Sequence, residues 1–307
     1  MYESILVPTD GSPTADLAAD HALALAEAFD ASVTVLGVVD ASEAAGAFDA
    51  GGVDDEYLDG LETEARRSVD PVIERAEGRV SVDAAVVEGD PAETIVDRAT
   101  DHDLVVLGTH GRSAVGRVLA GSTSAQVVRE SPVPVVTVGG DDTEPASGYD
   151  DVLIPTDGSD AAEVAVDHGI AVADAFDATL HTAYVVDVGA LAGGAGVTVG
   201  GGAPGTTGAA GSDLLKPMIQ NGEEATQRVA DRARDAGLEV AMDVLEGSPG
   251  STLVNYVEEE DIDFVAMGTH GHTGLDRVLL GSTTERTVRN VSVPVLSVRA
   301  IEAGAGE

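Results

Sequence analysis

The chain has 307 residues, enough for two ordinary domains, and is 43% apolar but only 3% aromatic, so its core must be built from Val, Leu, Ile and Ala. Acidic residues outnumber basic ones 55 to 16, for a formal charge of −39, and Lys216 is the single lysine; such a surface repels nucleic acid and anionic lipid and excludes both as partners. With no cysteine there is no disulfide or thiolate metal site, and no window approaches the roughly 18 uninterrupted apolar residues of a membrane span, so a soluble, cytoplasmic protein without a secretory leader is expected.

Disorder is one reading of so much charge, but regular apolar runs argue against it. The first is the strand-like Ile5–Pro8, followed by "TDGS" and a helical period in which Ser12 is the N-cap and Pro13 the first helical residue. Short runs rich in Val, Ile and Leu then recur at Val33–Val38, Val80–Val87, Leu104–Leu107 and Val133–Val138, with helical periods between them. The last run carries Pro134, which suits the edge of a sheet. Residues 141–148 have the composition of a linker.

The chain then repeats itself. Residues 4–40 are echoed by 151–187, residues 86–111 by 244–271, and "ESPVPVVTV" by "NVSVPVLSV", where Pro294 takes the place of Pro134. Two homologous domains are expected, 1–140 and 149–300, with a tail at 301–307. The second contains an additional glycine-rich stretch, 188–213. Its "GGGAPG" formally matches a dinucleotide fingerprint, but it neither leaves a core strand for a helix nor lies in the first turn, so it is read as a flexible loop. Strand–helix alternation predicts an α/β fold, an open and mostly parallel sheet with right-handed crossovers in each domain.

Ligands of such sheets bind beyond the carboxyl ends of the strands, where strand order reverses. "PTDG" follows the first strand and "GTHG" the fourth in both repeats; if those strands are neighbours, the two loops face one cleft. Glycines there admit positive φ and close approach of backbone N–H groups to a ligand. "GST" then opens a short helix; Ser122 read alone is a helix cap, but its pairing with an upstream glycine turn at identical spacing in both halves makes the helix's N-terminal N–H groups and dipole an anion site.

The spacing Gly108-x2-Gly111-x9-Gly121-Ser122, written again as Gly268-x2-Gly271-x9-Gly281-Ser282, resembles the ATP-binding signature of the universal stress protein family. The resemblance covers nearly the whole chain and implies a tandem member, with two Rossmann-like, five-stranded parallel sheets in the order 3-2-1-4-5 and helices on both faces. It implies that Asp10 meets the ribose or adenine, that Pro8 and Thr9 shape the loop, and that Val38 offers a backbone contact to adenine. Gly108, Thr109, His110, Gly111 and Arg112, with Gly121, Ser122, Thr123 and Ser124, would hold ribose and phosphates. The matching second set is Pro155, Thr156, Asp157 and Val185, then Gly268, Thr269, His270 and Gly271, with Gly281, Ser282, Thr283 and Thr284. That set departs from the first where His272 replaces Arg112 and Asp276 replaces Gly116, which should weaken phosphate binding unless a divalent ion such as Mg or Mn bridges.

Other chemistry is less well supported. Lys216 lacks the preceding glycine of a Walker A loop, and "HGH" (His270, His272) has no third metal ligand in view, so the metal ligands are undefined. No catalytic residue is assigned: neither His110 nor His270 has a partner that marks a general base, and Asp10 and Asp157 also suit simple turns. The expected function is an ATP-binding, stress-response regulatory module in which adenine nucleotide biases conformation or partner choice, with at most slow hydrolysis. The rivals are an adenine-nucleotide hydrolase or nucleotidyl transferase, and a nucleotide-independent structural or chaperone-like protein. The last strands of the two repeats are expected to pair within the chain as a pseudo-dimer, and homodimerisation is a further expectation. The acidic, lysine-poor composition also resembles that of halophilic proteins.

Overall fold

Ile5, Leu6 and Val7 are buried in succession, as are Leu104, Val105 and Val106, because helices cover both faces of the strands that carry them. The computed structural model describes residues 1–40, 55–109, 122–139, 148–189, 208–269 and 280–300, with backbone alone for 55–59 and 208–214. The chain divides into two compact units: Met1–Gly148 together with Val291–Glu307, and Tyr149–Asn290.

The first unit contains β1 (Ser4–Pro8), α1 (Pro13–Phe29), β2 (Ser32–Val39), α2 (Asp55–Ala76), β3 (Val82–Glu88), α3 (Pro91–Ala99), β4 (Leu104–Gly108), α4 (Ser122–Glu130) and β5 (Val135–Val138). Its strands run in the order β3-β2-β1-β4-β5, all parallel, as the sequence predicts. Ile5 is registered with both Val33 and Leu104, so the first and fourth strands are neighbours. Ser12 accepts the Ala15 N–H and Pro13 opens α1, while the helix ends at Asp30 in the left-handed region. Its buried face is largely alanine (Ala15, Ala18, Ala22, Ala26), which lets it lie close to the sheet and reduces the need for aromatic filling.

The second unit contains β6 (Asp151–Pro155), α5 (Asp160–Glu163), α6 (Val166–Phe176), β7 (Thr179–Asp187), α7 (Gly208–Asp235), β8 (Val240–Gly247), α8 (Pro249–Glu259), β9 (Phe264–Gly268) and α9 (Ser282–Asn290). Its strand order β9-β6-β7-β8 repeats the first four places, with Leu153 registered to both His181 and Val265. α7 begins at Gly208, so residues 208–213 of the expected glycine-rich loop are helical; 190–207 lie outside the described residues.

The fifth strand of the second repeat, β10 (Val295–Val298), belongs to the first unit, where it runs antiparallel to β5. Val295, Leu296 and Ser297 face Thr137, Val136 and Val135. This is the expected pairing of "VPVLSV" with "VPVVTV". Pro134 costs no ladder bond because it precedes β5, and its carbonyl still accepts the Val105 N–H. β5 is therefore paired on both sides rather than left as an edge. Few aromatics are available, and they take equivalent corners: Tyr2 meets Phe29 edge-on at 5.0 Å, and Tyr149 meets Phe176 at 4.7 Å. Among the described residues no helix is long and apolar enough to cross a membrane.

Candidate functional site

The first loop is a compact turn held by the same backbone N–H bonds in both units. The Thr9 N–H donates to the Leu36 carbonyl and the Thr156 N–H to the Ala183 carbonyl, each at 2.9 Å, which extends the ladder one residue past the strand. The next two side chains then fold the chain back. Thr9 and Thr156 Oγ1 accept the N–H of Gly11 and Gly158 at 3.1 Å, and Asp10 and Asp157 Oδ1 accept the N–H of Ser12 and Ser159 at 3.0 Å. Gly11 at φ 71 and Gly158 at φ 77 supply the left-handed step that only glycine takes without strain. The turn reading of Asp10 holds: Oδ1 shapes the loop, and the residue is exposed at the strand end.

The second loop begins where β4 and β9 end. Neither Gly108 nor Gly268 has positive φ; a Cβ at Gly108 would lie 2.8 Å from the Thr14 carbonyl carbon, and one at Gly268 would overlap the Ala161 carbonyl oxygen. These first signature glycines are required by the first turn of the helix that follows "PTDGS". That contact sets the ends of β4 and β9 against the helix that follows the first loop of the same unit.

The short helices α4 and α9 are fastened to the same strand ends. Ser124 donates its hydroxyl proton to the Thr109 carbonyl at 3.0 Å, and Thr284 donates to the Gly268 carbonyl at 2.8 Å; both residues are buried. In the second unit the Gly281 N–H also donates to the Thr269 carbonyl, and the Gly281 carbonyl accepts the Glu285 N–H, so Gly281 occupies the capping place and Ser282 is the first helical residue. Ser122 likewise opens α4. Ser122 and Ser282 are exposed at the helix start, with Thr123 and Thr283 half-buried beside them. Val38 and Val185 lie at the carboxyl ends of β2 and β7, just beyond the partners of Pro8 and Pro155. His110, Gly111, Arg112, Gly121, His270, Gly271, His272 and Asp276 lie outside the described residues.

The first turns of the two short helices differ in charge. The first turn of α4 carries no acid, whereas that of α9 carries Glu285, paired with Arg289 at 2.5 Å. A carboxylate there opposes the helix dipole's attraction for an anion. The contrast is legible as Ala125 against Glu285 in the aligned repeats, but the glycine landmarks do not draw attention to it. Beside the first turn of the first unit a cavity of about 330 Å³ is lined by Gly11, Asp16, Arg67, Ser68 and Pro71, among others. In the second unit Arg228 lies against Gly158 and faces Glu163 at 3.8 Å. Among the described residues no group of three or more His, Asp or Glu is arranged to hold a metal ion.

The sequence profile described as the universal stress protein family matches residues 1–139 and 148–299. A universal stress protein of Methanocaldococcus jannaschii is 40% identical over 151 residues, which cover 49% of this chain and 82% of the relative. Another, from Mycolicibacterium smegmatis, is 28% identical over 308 residues and matches across 96% of each chain. Among solved structures, a universal stress protein from Archaeoglobus fulgidus superposes with a TM-score of 0.68 at 21% identity, covering 98% of this chain and 97% of that one, a likeness of fold.

Proposed function

Because the chain belongs to the universal stress protein family, as a tandem member with two family domains, we propose that it is a stress-response regulator that binds adenine nucleotide at the carboxyl ends of its strands. One observation carries the reading. In each unit the threonine–aspartate turn and the first turn of a serine- and threonine-rich helix are fastened around neighbouring strand ends. The helix start provides N–H donors and hydroxyls for phosphate, the acidic turn provides an acceptor for ribose hydroxyls, and Val38 or Val185 borders the adenine side. ATP is the nucleotide proposed, held in the first unit by Asp10, Arg112 and the 121–124 helix start. Mg or Mn would neutralise phosphate charge.

The protein's role is binding: nucleotide shifts its conformation or its choice of partner, and turnover is slow or absent. Asp10 and Asp157, the carboxylates of the first loops, each use Oδ1 to hold the turn, which suits orientation of a ligand better than proton abstraction. The two sites are unequal. Losing the charge-assisted contact of Arg112 is worth about 1.5–3 kcal/mol, roughly ten- to a hundredfold in affinity, and Glu285 adds to the deficit of the second site. The setting that fits the charge is a salt-rich cytoplasm.

Mass spectrometry of nucleotide retained by gently purified protein tests the ligand. Titration calorimetry of Gly121→Val and Gly281→Val, each crowding one helix start, tests the ranking. Loss of the tight phase in Gly121→Val alone is the expected result. Loss in Gly281→Val alone reverses the ranking, and unchanged binding in both variants refutes the site.

A further inference from the structure

Four polar side chains meet in the second unit at places where the first unit has nothing comparable. Asp151 opens β6, His181 lies in β7, Asp243 in β8 and Tyr256 in α8. The aligned residues of the first repeat are Ser4, Thr34, Ala85 and Arg98. His181 and Tyr256 are only 6% and 5% exposed. His181 Nε2 lies 3.0 Å from Asp151 Oδ1, His181 Nδ1 lies 3.1 Å from the Tyr256 hydroxyl oxygen, and that hydroxyl lies 2.8 Å from Asp243 Oδ2.

Counting protons fixes the direction of each bond. An ionised carboxylate only accepts, and a phenol has one proton to give. Tyr256 donates that proton to Asp243, so toward His181 its oxygen can only accept, and Nδ1 must donate. Asp151 also only accepts, so Nε2 must donate. An imidazole donates from both nitrogens only when it carries both protons. With the Nδ1 proton removed, either Nδ1 confronts the tyrosine oxygen lone pair to lone pair, or Tyr256 turns to Nδ1 and leaves Asp243 without its donor; with the Nε2 proton removed, that nitrogen's lone pair confronts the Asp151 carboxylate. Moving a proton from Nε2 to Asp151 satisfies the same contacts but places it on the weaker base.

We propose that His181 is held in the folded protein as an imidazolium bridging Asp151 and Tyr256, so that the second unit contains a proton-dependent clamp joining three strands and a helix. The charged and titratable groups that face it are Asp151 from β6, Asp243 from β8 and Tyr256 from α8, with Glu260 just beyond α8 acting on Tyr256. All are acidic, which favours a cation in their midst. Burial first, then the bond to Asp243 and the nearby carboxylates, push the Tyr256 phenol far above its ordinary value, so it keeps the proton the chain requires. His168 in α6 is the contrast: burial pulls it below its ordinary value against the pull of Asp167. Loss of the His181 proton breaks one of the three bonds, so the clamp is complete on the acid side of that event and broken on the alkaline side.

The test is nitrogen NMR of the full, unaltered chain labelled with 15N-histidine, so that no variant's folding enters. Contacts to the Tyr256 ring, whose centroid is 6.0 Å from that of His181, assign the signal. At pH 7 both ring nitrogens of His181 should resonate as protonated and each should show an attached proton, while His168 shows one nitrogen of each kind. A His181 spectrum like that of His168 overturns the proposal. Raising the pH until His181 changes should move the Tyr256 ring and the Asp243 carboxyl signals with it. A change confined to the His181 ring overturns the clamp.

Discussion

Gly108→Ala distinguishes a glycine that makes room for a ligand from one that makes room for the fold. The new methyl carbon would sit 2.8 Å from the Thr14 carbonyl carbon, 2.9 Å from its oxygen and 3.0 Å from the Ala15 nitrogen. These are backbone atoms in the first turn of α1, held by the Ser12 cap, and cannot swing aside as a side-chain tip would. Ordinary contact needs roughly another 0.5–1 Å, so strand end and helix must separate. Overpacking of this kind costs about 1–3 kcal/mol, or roughly 2–12 °C in melting temperature for a unit of this size. Because Gly108 does not have positive φ, alanine adds no backbone strain and the whole loss is steric. Melting of the first unit is followed by calorimetry without nucleotide. A melting temperature within a degree of the parent chain's, with nucleotide affinity lost, would refute the packing argument and return the glycine to the ligand. Gly268→Ala should cost more, since its methyl meets the Ala161 carbonyl oxygen more closely.

Thr182, fully buried in β7, has a hydroxyl with no protein hydrogen-bond partner, and the aligned residue of the first repeat is Val35; Thr182→Val should stabilise the second unit by about 1 kcal/mol in denaturant melts. Burial raises the Asp103 carboxyl, but the N–H groups of Glu3 and Ser4 and the Ser4 hydroxyl outweigh it and hold the group below its usual value. Its contribution is therefore present above the ordinary carboxylate range and lost as pH falls through the lowered value. The Glu3 and Ser4 amide signals should stay fixed through the ordinary carboxylate range and move together only below it, and in Asp103→Asn that movement should vanish. With a charge of −39, melting temperature and nucleotide affinity should both rise as KCl goes from about 0.1 M to above about 1 M, where the screening length falls from ~10 to ~3 Å. A flat or falling melting curve refutes the halophilic reading.

The strand order was legible because burial on both faces leaves runs such as Ile5-Leu6-Val7 that no half-exposed strand would carry, and because the chain states the pattern twice. The turn was legible from Asp and Gly in register. The cause of Gly108 was not. A sequence shows that a Cβ is missing, but what comes close there is Thr14, on another element. Ser124 and Thr284 pose the same difficulty, since a hydroxyl in a helix's first turn serves ligand or fold according to where the helix docks, and here both bind carbonyls. The clamp around His181 was invisible for the same reason: its members come from four elements, and only the register of β6, β7 and β8 brings them together.

Duplication provides a control within the chain for deciding what each residue is for. Where the repeats differ by compensated volume, the difference belongs to packing. Gly37 opposes Ala65 in the first unit, while Tyr184 opposes Gly222 at the aligned places of the second, and a methyl at Gly222 would touch the Tyr184 ring at 2.7 Å. Where they differ in charge at a helix start, packing offers no reason. Ala125 against Glu285 changes the charge at a helix start without filling or emptying a fully buried position. The turn, the close-packed glycine and the latching hydroxyl are common to both units and hold the strand ends and helix starts in place. On the proposed function, the differing charges give the two copies unequal affinity for an anion on a shared frame.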